Sequence, residues 1–140
     1  MPETVTGKCL CGKVSFQAQI EARHAGVCHC TMCQKWAGGI TILTECQNLK
    51  VDESPELGLY RASEWGERGF CRNCGASLFW RMQDGSHANV SVTALDGIKD
   101  FTLNKEIFID EKPEWHSFEQ NTKQMTGAEV IALFTEGQAN

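Results

Sequence analysis

Cysteine is the residue type whose spacing gives this sequence its most specific chemistry. The 140-residue chain holds eight cysteines, and seven of them fall into three tight clusters. The clusters are a first pair (Cys9 and Cys11), a central triple (Cys28, Cys30 and Cys33) and a second pair (Cys71 and Cys74). Thiolates hold zinc at about 2.3 Å in tetrahedral geometry, and such short spacings can place two sulfurs at neighbouring corners. The clusters therefore predict metal binding.

Spacing alone leaves two groupings of these thiols open. In one, Cys30 and Cys33 join the second pair, although the 37 residues between them exceed the usual interval of a zinc ribbon. In the other, the two pairs close one site together and the central triple shares a second ion. The spacing within the triple favours the second grouping. Its three cysteines are so close in sequence that we expect them to bind the same ion.

The number of thiols at each site decides which chemistry it can support. Four thiolates fill the coordination sphere of zinc, as in structural sites, whereas three leave one position open, as in catalytic sites. An open position can take water or a thiol, whose pKa the metal lowers, and thiolate co-ligands suit a sulfur substrate. In the second grouping, Cys28, Cys30 and Cys33 would therefore be catalytic as well as metal-binding.

Other residues near the clusters are expected to play structural roles. His29 lies between two ligands and would point away from the metal face of an extended chain, so we expect a structural hydrogen bond. Cys46 stands alone in an apolar stretch and is expected to be a buried small hydrophobe. The four tryptophans are expected in the core, with Trp36 close enough to the triple to line a pocket.

Composition and charge limit the classes of partner. A formal net charge of −5 with scattered basic residues argues against nucleic acid as a partner. The sequence has no secretory signal pattern and no apolar run near the roughly 20 residues that span a bilayer, so no membrane partner is expected. We expect a cytoplasmic protein, in which closely spaced thiols indicate metal binding rather than disulfides.

The segments that must position these cysteines read mainly as short strands. Alternating or β-branched patterns predict strands at 13–20, 25–30, 39–46, 49–51, 57–62, 67–70, 77–82, 87–94 and 106–110. Hydrophobic residues make up 41% of the chain, which is enough for the core of a single domain over residues 1–140. The pattern therefore predicts a mainly β architecture with little helix.

Two short helices are predicted beside these strands. One would span 31–37, with Thr31 as its N-cap and Gly38 ending it. The other would begin after Thr126 and end at Gly137, within a C-terminal extension at 119–140. Its expected apolar stripe consists of Val130, Ile131, Leu133 and Phe134.

The cysteine pattern resembles that of a known family. C-x-C-G, then C-H-C-x-x-C-x-K, then F-C-x-x-C-G-x-x-L is similar to the glutathione-dependent formaldehyde-activating enzyme (GFA) family, which shares its domain with a centromere protein. The segments 89–96 and 106–110, the latter followed by Trp115, are similar to the family's late strands. The resemblance covers about residues 6–118.

The resemblance implies an Mss4-like twisted β-sheet (β-tent) fold with zinc-knuckle turns. It implies one structural and one catalytic Zn²⁺, with the central triple as the catalytic set. The structural ligands would be Cys9, Cys11, Cys71 and Cys74. The reaction it implies joins formaldehyde to the thiol of glutathione, giving S-hydroxymethylglutathione, and belongs to the carbon–sulfur lyases. Lys35 and Arg68 would then either meet the carboxylates of glutathione or lie on the solvated surface.

Two other functions fit the same residues. The chain could be a non-catalytic, zinc-stabilised module that binds a protein partner. It could also be a thiol-redox enzyme related to methionine sulfoxide reductases, which share a similar fold. The redox function needs a free reactive thiol, and Cys46, the one unclaimed cysteine, lies in an apolar strand that argues against exposure. The leading hypothesis is a zinc-dependent lyase that acts on adducts of glutathione or related thiols with aldehydes.

Overall fold

Ten strands and two helices make up the protein in a computed structural model that describes residues 2–97 and 99–139. The strands are β1 (Glu3–Lys8), β2 (Ser15–Ile20), β3 (His24–Cys28), β4 (Thr41–Val51), β5 (Leu57–Tyr60), β6 (Gly66–Cys71), β7 (Ser77–Met82), β8 (Ala88–Ser91), β9 (Thr102–Ile107) and β10 (Lys123–Met125). The helices are α1 (Thr31–Ala37) and α2 (Gly127–Ala139), and short 3₁₀ turns cover Val92–Ala94 and Ile109–Glu111. The predicted mainly β fold is confirmed.

The strands form one twisted mixed sheet. Its main path runs β10-β9-β3-β4-β8-β7-β6-β5, and β1 and β2 join it where β2 pairs with β4. Strand β9 pairs in parallel with both β3 and β10, whereas the other pairs are antiparallel. The strand that delivers Cys28 therefore lies between β4 and a strand that is about 80 residues later in the sequence.

The hydrophobic core lies between the β1–β2 layer and one face of the long sheet. Phe16 and Ile20 of β2 pack there with Phe79 of β7 and Val90 of β8, and all four side chains are buried. Cys46 is 5% exposed within this core, which confirms that it is a buried small hydrophobe. Burial raises the pKa of its thiol to about 12, so Cys46 is not a reactive thiolate.

Several element boundaries differ from the sequence-based prediction. The two strands expected at 39–46 and 49–51 are one strand, β4, in which Asn48 adopts a positive φ of 53° where the pairing with β2 shifts. The strand expected at 87–94 ends at Ser91 and continues as a 3₁₀ turn. Strands β1 and β10 were not predicted, because the first carries mostly polar residues and the second has three residues.

The helices also differ in detail. The N-cap of α1 is Cys30 rather than Thr31, because the Cys30 sulfur accepts the N–H of Cys33. Thr126 does cap α2, since its hydroxyl accepts from the N–H of Glu129 while the Glu129 carboxylate accepts from the N–H of Thr126. Helix α2 continues past Gly137 to Ala139, so the predicted end was wrong.

The expected apolar stripe on α2 is only partly buried. Val130 is 7% exposed, whereas Ile131 and Leu133 are each 57% exposed. All three line a cavity between α2 and the sheet, and their exposed surface belongs in part to its walls. No helix within residues 2–97 and 99–139 combines the length and the apolar character that crossing a bilayer requires.

Candidate metal centres and the adjoining cavity

The two cysteine pairs converge in space. Cys9 follows β1, Cys71 ends β6, and each partner lies in the turn that comes next. The sulfurs of Cys9, Cys11, Cys71 and Cys74 all lie within 4.8 Å of one another. The Cys11 sulfur is 3.6 Å from that of Cys9 and 3.7 Å from that of Cys71. Two corners of a tetrahedron with zinc–sulfur bonds of 2.3 Å are about 3.8 Å apart, so this arrangement fits a zinc ion.

Backbone groups shape both turns around these sulfurs. The N–H of Val14 donates to Cys9 Sγ at 3.3 Å, and the N–H of Cys74 donates to Cys71 Sγ at 3.4 Å. The residue after each second thiol, Gly12 or Gly75, has a φ near +80°, which glycine adopts without strain. Backbone N–H groups lower the pKa of the Cys74 thiol to about 6. The turns therefore stabilise thiolates, which are the form that binds metal.

The central triple forms a second cluster of three thiols. Cys28 ends β3, Cys30 caps α1 and Cys33 lies in the first turn of that helix, and their sulfurs are within 4.8 Å of one another. All three are buried, each 8% exposed or less. Hydrogen bonds from the Cys28 and Cys33 thiols lower the pKa of Cys30 to about 2, and the charge of Arg68 acts in the same direction. The cluster can hold a metal ion with a fourth position left open.

Arg68 supplies a buried positive charge beside this cluster. Its Nη1 donates to Cys33 Sγ at 3.4 Å, and its guanidinium carbon lies 5.1 Å from the centroid of the Trp36 ring. Arg68 is 4% exposed, so of the two alternatives left open for this residue the solvated surface position does not apply. Lys35 is exposed and borders a separate, smaller cavity of about 450 Å³. The two basic residues that were singled out in the sequence therefore lie in different environments.

His29 faces away from the thiols. Its Nε2 is 2.8 Å from Glu106 Oε1, and both side chains are buried, which confirms the expected structural hydrogen bond. The other oxygen of Glu106 accepts from the hydroxyl of Thr122 and, at 3.5 Å, from the amide of Gln124. Burial opposes ionisation of Glu106, but the hydrogen bonds from Thr122 and His29 outweigh it and keep the pKa of this carboxyl below its usual range.

Sequence reasoning missed this network around Glu106. The signal that could have found it is a glutamate that begins the otherwise apolar run 106–109, because a buried carboxylate needs partners. Its partners lie just after β3 and at the start of β10, and the parallel pairing that brings them together leaves no local pattern in the sequence.

A cavity of about 860 Å³ opens beside the central triple. Its floor is the sheet face opposite the hydrophobic core, and its cover includes Val130 and Phe134 of α2. Trp65 and Trp80 line it in an edge-to-face pair with ring centroids 5.8 Å apart. Trp65 is 51% exposed and Trp115 is 79% exposed, so the expectation that they are core residues was wrong. Most of the lining is apolar, with a few charged groups at defined positions.

Phe108 connects α2 to the central triple. Its ring packs against the three cysteines together with Ile107. A Cβ on residue 127 would lie 2.6 Å from this ring, so only glycine at that position allows α2 to begin where it does. The first turn of α2 and the thiol cluster therefore share one aromatic side chain.

Comparison with known proteins agrees with this geometry. The family model described as glutathione-dependent formaldehyde-activating enzyme matches residues 4–111. A protein of Schizosaccharomyces pombe named an uncharacterized lyase is 32% identical over 133 residues, which are 94% of this chain and 96% of that protein. The crystal structure of a Rhodobacter sphaeroides protein shares the fold, with a TM-score of 0.59 at 22% identity, over 72% of this chain and 98% of that one. The chain belongs to the glutathione-dependent formaldehyde-activating enzyme family.

Proposed function

We propose that this protein is a zinc-dependent lyase that makes and breaks the carbon–sulfur bond of thiol–aldehyde adducts, with glutathione as the thiol. One observation carries the proposal: three buried thiols, one ligand short of a closed metal site, open onto a large cavity. Membership of the family supports it, as does the relative named a lyase, which this chain matches over almost its full length.

The proposal assigns two zinc ions to the chain. The four thiols of the two pairs would hold a structural ion, and Cys28, Cys30 and Cys33 would hold the second. When bound, a zinc ion on three thiolates offers a fourth position and lowers the pKa of a thiol that occupies it. The eight cysteines form no disulfide, which suits the reducing cytoplasm that we propose as the compartment of this single-domain protein.

The chain has to position the adduct more than it has to supply further reactive groups. In the cleavage direction, the carbon–sulfur bond of the adduct breaks, its hydroxyl carbon becomes the carbonyl of the aldehyde, and the hydroxyl proton ends on the sulfur of the released thiol. No oxidant or reductant is consumed. Buried thiols and apolar walls keep bulk water from the reacting carbon, and the cavity holds the adduct in one orientation.

Arg68 is the side chain that we propose to stabilise charge during this step. It already donates to Cys33 Sγ, so its guanidinium balances the negative charge of the thiolate cluster. Because Arg68 also lines the cavity, its remaining N–H groups can donate to the oxygen of the adduct. Negative charge develops on that oxygen as its proton leaves, and a fixed positive charge there lowers the barrier.

Metal content and turnover, measured in the same sample, test the proposal. We expect two zinc ions per chain by elemental analysis, and exchange between the free thiol and its aldehyde adduct, followed by exchange NMR, that is faster than in buffer. The variant Cys33→Ser should keep one zinc ion and its circular dichroism spectrum but lose adduct exchange. The matched control for zinc content is Cys46→Ala, which removes a thiol that belongs to neither cluster and should keep two zinc ions per chain.

The alternative of a non-catalytic binding module predicts a different result. In that case adduct exchange would proceed at the rate in buffer with the wild type and with both variants, Cys33→Ser and Cys46→Ala. A wild-type protein with two zinc ions that accelerates no adduct of glutathione with any aldehyde would contradict the proposed lyase.

A further inference from the structure

A bulge in β9 decides which side chains face the cavity. Ala25 of β3 pairs with Leu103, but Gly26, the next residue, pairs with Lys105, so Asn104 is an extra residue in β9. An extra residue moves every later side chain to the other face of the sheet. Beyond the bulge, Lys105 pairs with Gly26, and Ile107 pairs with Cys28. Lys105 therefore shares the sheet face of the central triple.

Gly26 gives the Lys105 side chain room to lie across β3. A Cβ on residue 26 would be 3.3 Å from Lys105 Cε, which shows that the lysine stem runs over this glycine. Lys105 is half-buried and lines the 860 Å³ cavity that also contains the three thiols. The glycine thus lets a charged side chain reach along the cavity floor instead of projecting away from it.

A second lysine lies beside the first. Lys123 of β10 pairs with Lys105 in the parallel register and lines the same cavity. Among the side chains that the structure describes, neither ammonium group forms an ion pair. The carboxylate of Glu129, whose pKa Lys123 helps to lower, is already engaged by the N–H of Thr126. Two neighbouring positive charges without a partner favour a bound anion.

The distance from these lysines to the thiols matches a small peptide. Cys28 lies two residues beyond Gly26 on β3, so the Lys105 position is about 7 Å along the strand from the cysteine position. A tripeptide spans about 10 Å when extended. A thiol peptide with its sulfur at the triple therefore places a terminal carboxylate near the lysines.

We infer that Lys105 and Lys123 form a carboxylate-binding subsite, which holds a terminal carboxylate of the thiol while its sulfur lies at the central triple. This inference rests on the proposed function and adds to it the residues that recognise the anionic end of the thiol. Neither basic residue singled out in the sequence meets this requirement. Lys35 borders the other cavity, and Arg68 is engaged with Cys33 and Trp36.

Calorimetric binding to the zinc-loaded protein tests the subsite separately from turnover. The two probes are glutathione and its dimethyl ester, which keeps the thiol but lacks both carboxylate charges. The wild type should bind glutathione about tenfold more tightly than the ester, which corresponds to about 1.4 kcal/mol, because the ester cannot form charge-assisted hydrogen bonds with the lysines. Lys105→Gln and Lys123→Gln should each weaken glutathione binding several-fold, and the double variant about tenfold or more, with ester binding unchanged.

The control is Lys50→Gln, which removes the same charge from an exposed position outside the cavity and should bind both probes like the wild type. Equal affinity of the wild type for the two probes, no glutathione binding, or parallel losses for both probes in the lysine variants would overturn the subsite. Lysine-dependent binding without any adduct exchange would support the subsite while contradicting the proposed lyase. Adduct exchange together with equal affinity for both probes would support the proposed lyase and contradict the subsite.

Discussion

Arg68 and Cys33 show how much the site depends on individual contacts. A buried guanidinium needs partners, and Arg68 finds them in the Cys33 sulfur and the face of the Trp36 ring. Cys33 and Trp36 are both residues of α1, so the arginine also joins β6 to the helix that contains Cys33 and is capped by Cys30. Arg68 therefore places a positive charge beside the three-thiol cluster and also contacts the helix that contains Cys33.

The substitution Arg68→Gln should lower kcat/KM for adduct exchange by about tenfold to a hundredfold, because the charge beside the developing oxyanion is lost. Zinc content should remain at two ions per chain, since the arginine is not a ligand. Exchange NMR and elemental analysis measure the two quantities. Lys35→Gln is the control, because this residue lies outside the large cavity and its loss should leave exchange unchanged. A normal kcat/KM in Arg68→Gln would contradict the role given to the guanidinium.

Residues of the site differ in how well the sequence reveals them. The clustering of the cysteines could be predicted because candidate metal ligands in one turn are close in sequence, and the burial of Cys46 followed from its apolar strand. The contacts of Arg68 and Glu106 could not, because they join residues 35 and 77 positions apart. No local pattern marks such contacts, although an unpaired charge in an apolar segment signals that a partner exists.

Helix α2 acts as a wall of the cavity, and its position is set at its first residue. Gly127 begins the helix against the Phe108 ring, its N–H donates to Asp110 Oδ1 at 2.8 Å, and Thr126 and Glu129 close a capping box. Farther along, the Phe134 ring meets His87 edge-to-face with centroids 5.3 Å apart. The helix is therefore fixed both near the thiols and at the far end of the cavity.

The substitution Gly127→Val should displace α2, since the new side chain would overlap the Phe108 ring. Hydrogen exchange of the amides in 128–135 should become at least about tenfold faster, which corresponds to a loss of about 1.4 kcal/mol in local stability. Exchange in β2 and β7 should not change. Ala132→Ser, at an exposed position of the same helix, is the matched control. Unchanged protection of α2 in Gly127→Val would show that the helix does not depend on this contact.

The sequence predicted the presence of most strands better than it predicted their boundaries and register. Strand β2 was predictable because its alternating side chains pack one face into the core. The bulge at Asn104 was not, since it changes the register of β9 relative to β3 and leaves the composition of the strand ordinary. Strand β10 was missed because three residues carry too little periodicity, and its pairing with β9 decides its conformation.

In the whole molecule, the two candidate metal centres have different surroundings. The four-thiol site ties the turn after β1 to the turn between β6 and β7, so it joins segments 60 residues apart. The three-thiol site opens onto the cavity between the sheet and α2. The four-thiol site therefore cross-links distant segments of the chain, whereas the three-thiol site is accessible to small molecules.

Stepwise removal of zinc should separate the two sites. A chelator should first withdraw the ion on three thiols, with loss of adduct exchange and little change in melting temperature. Withdrawal of the second ion should lower the melting temperature by about 10 °C or more, because metal binding at a structural site contributes directly to folding. Zinc release followed with a colorimetric indicator, with melting curves at each stage, measures both steps.

The Cys33→Ser variant is the internal control for this titration, since it should show only the second step. A single cooperative release of both ions, with exchange and folding lost together, would contradict the division into structural and open sites. The cavity itself was not predictable from the sequence, because it lies between α2 and a sheet face assembled from strands that are distant in the chain.

The parallel pairing of β3 with β9 has a consequence for the order in which the protein is assembled. All four cysteines of the four-thiol site have been synthesised once residue 74 is added, but β3 remains an edge strand until residues 102–107 pair with it. We expect the segments that the four-thiol site joins to fold first on the ribosome, while the strand that ends in Cys28 still has an unpaired edge. Strand β10 and helix α2, which are made after β9, then enclose a thiol cluster whose own residues emerge well before them.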